Sequence, residues 1–173
     1  MAPVPTFALP VIGCGKFNAT GKVMPRVGIY VATVFGGALD VAEQITPLFE
    51  SSGYSVEIFE EPGLEDLTES MPALALFCIS TTGRGEIPGN FTGLSDALEA
   101  QRPDLKALRY GLIAMGDSNY DESFCGAGRK LDALLESLGA SRHGERLEID
   151  ASETPMADDA AIPWVEQWLS EGA

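Results

Sequence analysis

Three glycine-rich turns, each at the end of an apolar run, constrain this chain more than any other feature. They read Ala32-Thr33-Val34-Phe35-Gly36-Gly37-Ala38, then Ser80-Thr81-Thr82-Gly83-Arg84-Gly85-Glu86-Ile87-Pro88-Gly89-Asn90, then Met115-Gly116-Asp117-Ser118-Asn119-Tyr120. The runs before them, Val27–Ala32, Ala73–Ser80 and Ala107–Met115, have the apolar composition of short strands buried on both faces. Tyr54–Phe59 alternates as a further strand, and Leu147–Ile149 centres a fifth. Helical spacing fills the gaps. Val41, Ile45, Leu48 and Phe49 share a stripe between Gly36 and Ser51, and Phe91, Leu94 and Leu98 mark a helix beginning near Asn90. Leu131, Leu134, Leu135 and Leu138 line one face of Phe124–Leu138, and Trp164, Val165, Trp168 and Leu169 mark a closing helix.

Alternating strands and helices predict a doubly wound α/β fold: a three-layer sandwich around a five-stranded parallel sheet in the order 2-1-3-4-5. In such a sheet the three glycine turns emerge together at the carboxyl ends of the strands. The first two lie side by side where the strand order reverses, which is where ligands bind.

A chain of 173 residues suffices for one such domain. Residues 1 to about 25 fall outside the pattern, with Pro3, Pro5, Pro10 and Pro25, no acidic residue and no period. They are expected to form a disordered or loosely packed tail ahead of a domain at 26–173. Val11-Ile12-Gly13-Cys14 resembles a bacterial lipidation site, but no Lys or Arg precedes it and Pro10 interrupts the apolar stretch. Met24 is an alternative start. No apolar run approaches the roughly 18 to 20 residues needed to cross a bilayer. Three cysteines, an odd number, argue against a disulfide framework and for a reducing cytoplasm, with Cys78 expected in the core.

The net charge of −15 argues against nucleic acid and against anionic membrane surfaces. It suits either a basic partner or solubility alone. Glu60, Glu61, Glu65, Asp66, Glu86, Asp117, Asp121 and Glu122 fall on or near the loops around the expected mouth, as a docking rim or an ordinary solvated surface.

The first turn leads from a strand into a helix, so free N–H groups and the positive end of the helix dipole converge on one point. That is an anion site suited to a monoester phosphate, with Thr33 as a hydroxyl donor. No lysine follows, so the nucleoside-triphosphate loop is absent, as is a dinucleotide fingerprint. His143 is the only histidine and makes a poor metal site alone. Asn18-Ala19-Thr20 and Asn90-Phe91-Thr92 are formal glycosylation sequons without meaning in a cytosolic protein.

From residue 26 to about 170 the chain resembles the flavodoxin family, particularly short flavodoxins of the MioC type and the FMN domains of diflavin reductases. The likeness rests on Gly116-Asp117-Ser118-Asn119-Tyr120 with Phe124-Cys125-Gly126-Ala127 and Leu131-Asp132, and on Ser80-Thr81-Thr82-Gly83-x-Gly85-x-x-Pro88-x-Asn90. The resemblance implies FMN as cofactor. It assigns the phosphate to Thr33, Val34, Phe35, Gly36, Gly37 and Ala38. One side of the isoalloxazine ring falls to Ser80, Thr81, Thr82, Gly83, Arg84 and Gly85, and the other to Gly116, Asp117, Asn119 and Tyr120, backed by Phe124 and Cys125.

On the same likeness, Tyr120 stacks on the flavin, and Gly83 and Gly85 supply backbone that turns a carbonyl towards flavin N5 when that atom carries a proton. Val34 and Ala38 replace hydroxyl residues frequent in the family, leaving phosphate contacts to backbone N–H groups and Thr33. Thr82 stands where many relatives carry an aromatic ring or histidine, which implies a more open flavin face or one covered by another side chain such as Arg84. Cys125 either is the family's structural cysteine or, opening a helix, a reactive thiol.

The resemblance implies an electron carrier that receives electrons from a flavin- or NADPH-dependent reductase and delivers them to an acceptor enzyme. No side chain is assigned as acid, base or nucleophile. The alternatives are an FMN-dependent quinone or small-molecule reductase using NAD(P)H directly, and a non-redox module that keeps the fold without the flavin.

Overall fold

A computed structural model describes residues 16–173, the side chain of Asp121 excepted. The Val11–Cys14 run and most of the expected tail lie outside the described residues. Residues 16–24 close a small antiparallel turn: Phe17 bridges Val23, and the Met24 amide donates to the Lys16 carbonyl at 3.0 Å.

From Arg26 the chain runs β1 (Arg26–Ala32), α1 (Gly37–Ser51), β2 (Ser55–Phe59), α2 (Leu64–Thr68) and β3 (Leu74–Ser80). It continues through α3 (Thr92–Gln101), β4 (Arg109–Gly116), α4 (Gly126–Ser137), β5 (Ser141–Arg142), β6 (Leu147–Asp150) and α5 (Asp158–Ser170). The strands are parallel in the order β2-β1-β3-β4-β5, with β6 also pairing β4.

The central strands β1, β3 and β4 bury both faces, so alternate residues enter different cores. Tyr30 and Phe77 face one side, where α2, α3 and α4 contribute Leu67, Leu94, Leu98, Leu131 and Leu135. Ile29, Val31 and Leu76 face the other, against Val41, Ile45 and Phe49 of α1 and Val165 and Trp168 of α5. Tyr30 stacks between Phe59 and Phe77, with ring centroids 4.9 and 5.1 Å away, and its hydroxyl donates to the Asp66 carbonyl at 2.9 Å. Trp168 lies so close to the sheet that a Cβ on Gly111 would stand 2.8 Å from its ring.

The expected fifth strand, centred on Leu147–Ile149, is present as β6, and a further short strand, β5, precedes it after a break, both laid against β4: Ser141–Arg142 pairs with Arg109–Tyr110, and Leu147–Asp150 with Ile113–Gly116. Asp132 of α4 supplies the physical reason for the break. It is 3% exposed, accepts a 2.7 Å hydrogen bond from the Tyr110 hydroxyl, and pairs with both Arg142 and Arg146. A buried carboxylate must be compensated in this way. Both arginines reach it because residues 143–146 turn out of the ladder through Gly144, at φ +72°. In the same turn the His143 carbonyl accepts from the Trp168 indole N–H at 2.6 Å.

Candidate functional site

The carboxyl ends of β1, β3 and β4 bring the three glycine loops to one edge of the sheet. β1 sits between β2 and β3, so the strand order reverses beneath the first two loops. A cleft of about 430 Å³ opens there. Its lining takes Phe35 from the first loop, Ser80, Thr81, Thr82 and Gly83 from the second, and Met115, Gly116, Asp117, Tyr120 and Ser123 from the third. Ala151, just past β6, completes it.

The first loop is held as a turn. The Gly36 amide donates to Thr33 Oγ1 at 2.9 Å, and the Thr33 amide donates to Asn90 Oδ1 at 3.0 Å. Thr33 therefore uses its hydroxyl as an acceptor that shapes the turn, a role its sequence position did not indicate. Gly36 takes φ +89°, a left-handed conformation that disfavours other residues. Beyond it α1 begins at Gly37 without a side-chain cap, and the leading amides of a helix have no partners within it. Val34 is half-exposed and Ala38 is buried in the core behind the loop.

Asn90 was not among the expected site residues, yet it joins the loops that follow three strands. Besides accepting from Thr33, its amide group donates to the carbonyls of Val31 at 3.0 Å and Glu60 at 2.6 Å. The signal was present in the Pro88-x-Asn90 spacing but reads equally as a sequon.

The second loop is a tight hairpin. Thr82 and Glu86 exchange backbone hydrogen bonds of 3.1 and 2.8 Å, and the Gly85 amide donates to the Thr82 carbonyl at 3.2 Å. Ser80 ties the loop to β1 through the Ala32 carbonyl at 3.0 Å. Gly83 and Arg84 form the exposed tip, whereas Gly85 is buried and its carbonyl accepts from Lys130 Nζ at 2.7 Å. Freedom to turn a carbonyl thus lies at Gly83, and Gly85 is pinned at both ends. Arg84 does not line the cleft. Thr81 Oγ1 is buried and has no hydrogen-bond partner in the protein. A buried hydroxyl left in that state points to a ligand that completes it.

The third loop rests on close backbone approach and on two carboxylates. A Cβ at Gly116 would stand 2.6 Å from the Cys125 amide nitrogen, so only glycine fits. Asp117 Oδ1 accepts from the Asn119 amide and side chain at 2.9 and 2.8 Å, which keeps Asn119 out of the cleft lining. Asp150, at the end of β6, accepts from the amides of Ser118 and Ser152 at 3.0 and 2.9 Å. Bonds from Ser118, then from Ser152, hold its carboxyl well below the ordinary carboxylate range. Tyr120 is 69% exposed at the cleft edge, and is no core residue.

Phe124 and Cys125 back the loop without lining the cleft. The Arg129 guanidinium lies 5.7 Å from the Phe124 ring centroid, and Cys125 Sγ reaches the Ala114 carbonyl at 3.5 Å. Burial, with Glu148 adding, pushes the Cys125 thiol up to about 12. The helix-start position therefore does not activate it.

Glu60, Glu61, Glu65, Glu86 and Glu122 are exposed. Asp66 instead caps α2, accepting from the Gly63 amide at 2.8 Å. The side chain of Asp121 lies outside what is described.

A reversed-order parallel sheet carrying an anion-ready helix start, an unpartnered hydroxyl and exposed aromatic rings around one cleft defines a doubly wound α/β protein that binds a flat, phosphate-bearing ligand. Residues 29–164 match the flavodoxin family model. Flavodoxin YqcA of Escherichia coli (strain K12) is 42% identical over 149 residues, covering 84% of this chain and 97% of that protein. Protein MioC of the same organism is 37% identical over 147 residues, covering 85% and 98%. A solved structure, a cysteine-to-alanine mutant of flavodoxin from Pseudomonas aeruginosa, superposes with a TM-score of 0.78 at 32% identity, over 84% of this chain and 97% of that one. The chain belongs to the flavodoxin family, whose members carry electrons on FMN.

The residues present fit that cofactor. The α1 amides offer a phosphate cradle, Thr81 Oγ1 awaits an acceptor or donor, and the cleft is wide enough to admit a ring beside Tyr120. Among the described residues no helix is long and apolar enough to cross a membrane, and no cluster of metal-binding side chains occurs.

Proposed function

We propose that the cleft formed by the three loops is the FMN site of a one-domain electron carrier working in the cytoplasm. Flavin supplies the redox chemistry when bound. The protein's own residues bind and orient it. The turn fixed by Thr33 and Gly36 aims the leading amides of α1 at the phosphate, and Thr81 hydrogen-bonds within the cleft. Tyr120 covers one ring face and excludes water from it. Gly83, at the free tip of the second hairpin, presents its carbonyl to the ring edge, while Lys130 holds the base of that hairpin still.

The observation that carries this reading is Thr81 Oγ1, a buried polar atom without a partner, placed in the wall of the cleft that the three loops share. The exposed carboxylates Glu60, Glu61, Glu86 and Glu122 form a rim that steers a basic reductase and a basic acceptor to the exposed ring edge. The donor is a flavin- or NADPH-dependent reductase and the acceptor a redox enzyme.

The test is the visible absorption spectrum of the purified protein, before and after FMN is added and the excess removed. Retained flavin bands at one FMN per chain support the assignment. A folded protein that stays colourless overturns it. NADPH oxidation with a quinone and no added reductase would move the protein from carrier to enzyme.

A further inference from the structure

Phe35 is the most exposed large apolar side chain among the described residues, at 98%. A single exposed phenylalanine on a convex surface needs no explanation. This one lines the cleft. The backbone beneath it is fixed on both sides, by the Gly36 amide on Thr33 Oγ1 and by the Thr33 amide on Asn90. A rigid turn therefore presents a whole phenyl ring to a ligand cleft.

The second aromatic ring of the cleft, Tyr120, is 69% exposed and comes from the loop after β4. β3 lies between β1 and β4, so Phe35 and Tyr120 flank the second loop from its two sides. Between them that loop offers Thr82, with no ring of its own.

We infer that the Phe35 side chain packs against the isoalloxazine ring of FMN, on the side of the second loop away from Tyr120, and covers the face that Thr82 leaves open. This rests on the FMN assignment of the cleft. The ring is not a phosphate ligand: a phenyl group has no N–H or O–H to donate and presents a negative face. Its only gain in the cleft is contact with an apolar or aromatic surface. Covering about half of a side chain of roughly 150 to 250 Å², at about 25 cal/mol per Å², corresponds to roughly twentyfold to two-hundredfold in affinity.

The test is fluorimetric titration of the apoprotein with FMN and, separately, with riboflavin, which shares the ring and lacks the phosphate. Phe35→Ala should weaken both ligands by a similar factor, roughly tenfold or more. Phe35→Trp should retain binding and quench flavin emission at least as strongly as the wild type. Because Phe35 is exposed, neither change threatens folding. Wild-type affinity for both ligands in Phe35→Ala overturns the inference, and leaves the ring to a partner surface. Weakened FMN with unchanged riboflavin also overturns it, since the side chain would then act through the phosphate turn. Failure of the wild-type protein to bind FMN overturns this inference together with the cofactor assignment; normal wild-type binding separates the two.

Discussion

The ammonium of Lys130, one turn into α4, donates to the carbonyl of Gly85 at 2.7 Å. Two of the three loops are thereby locked to each other, because α4 begins directly after the third. Backbone packing reinforces the bond: a Cβ on Gly126 would stand 3.0 Å from the Gly85 Cα. Lys130→Met keeps the aliphatic stem and removes the donor. A hydrogen bond to a charged group contributes about 1.5 kcal/mol, and less at this exposed ammonium. The variant should melt a few degrees lower and bind FMN severalfold more weakly. Unchanged FMN affinity would show that the second hairpin holds its shape without the clamp.

Gly85 illustrates how far the sequence carries. Its place in a glycine-rich loop after an apolar strand was legible, because strand and turn are local signals. Its immobility was not, because that depends on a lysine 45 residues away on another element. Asp132 repeats the point: its place in the Leu131-Asp132 block says nothing of its partners, but Tyr110, Arg142 and Arg146 make it a buried anchor where β5 and β6 are separated. The strand order and the cleft followed from periodicity and handedness. Asn90 stands in the Pro88-x-Asn90 spacing, but which loops it ties depends on pairings that no local pattern encodes, as does the tether at Asp150.

Thr81 is a direct probe of ligand contact. In the free protein its buried hydroxyl has no partner, so removing it carries no folding penalty. Thr81→Val should leave the apoprotein as stable as the wild type or slightly more so. FMN affinity should fall about fivefold, the equivalent of one neutral hydrogen bond near 1 kcal/mol. Calorimetric titration and thermal melting together check this. Equal affinity in the two proteins would mean the hydroxyl faces no part of the ligand.

The first loop is best tested at Gly37. Its φ is not left-handed, and a Cβ there would make only an ordinary 3.7 Å contact with Met115. An acidic residue at the start of α1 favours the helix itself, so Gly37→Asp should fold normally. The same charge about 5 Å from a phosphate costs about 3 kcal/mol at an effective dielectric constant near 20. FMN affinity should drop roughly a hundredfold or more while riboflavin affinity holds. An equal loss of both ligands would place the phosphate elsewhere.

Cys78 and Cys125 should behave as inert core thiols. Both are fully buried, and burial pushes each up to about 12. At about pH 8 the thiolate fraction of each is therefore negligible, and neither sulfur is accessible. Iodoacetamide should leave both unmodified in the native protein and label both in denaturant, as mapped by peptide mass spectrometry. Rapid native labelling of Cys125 would restore the reading of an activated thiol at the start of α4.

Asp150 should make the third loop sensitive to acid. Hydrogen bonds from Ser118 and Ser152 hold its carboxyl below the ordinary range, so the folded state favours the ionised form. With the folded value depressed, the stabilisation is complete above the unfolded value of about 3.9 and is lost as pH falls through the folded one. Asp150→Asn removes the titrating group but keeps an acceptor for the Ser118 amide. The difference in melting temperature between wild type and Asp150→Asn should be constant from about pH 7 to about pH 5, then shrink as the solution is acidified further. Because Asp150 tethers the loop that carries Tyr120, FMN release from the wild type should follow the same acid limb. A stability difference that persists unchanged to the acid end of the range would show that the carboxylate charge contributes nothing to holding the loop.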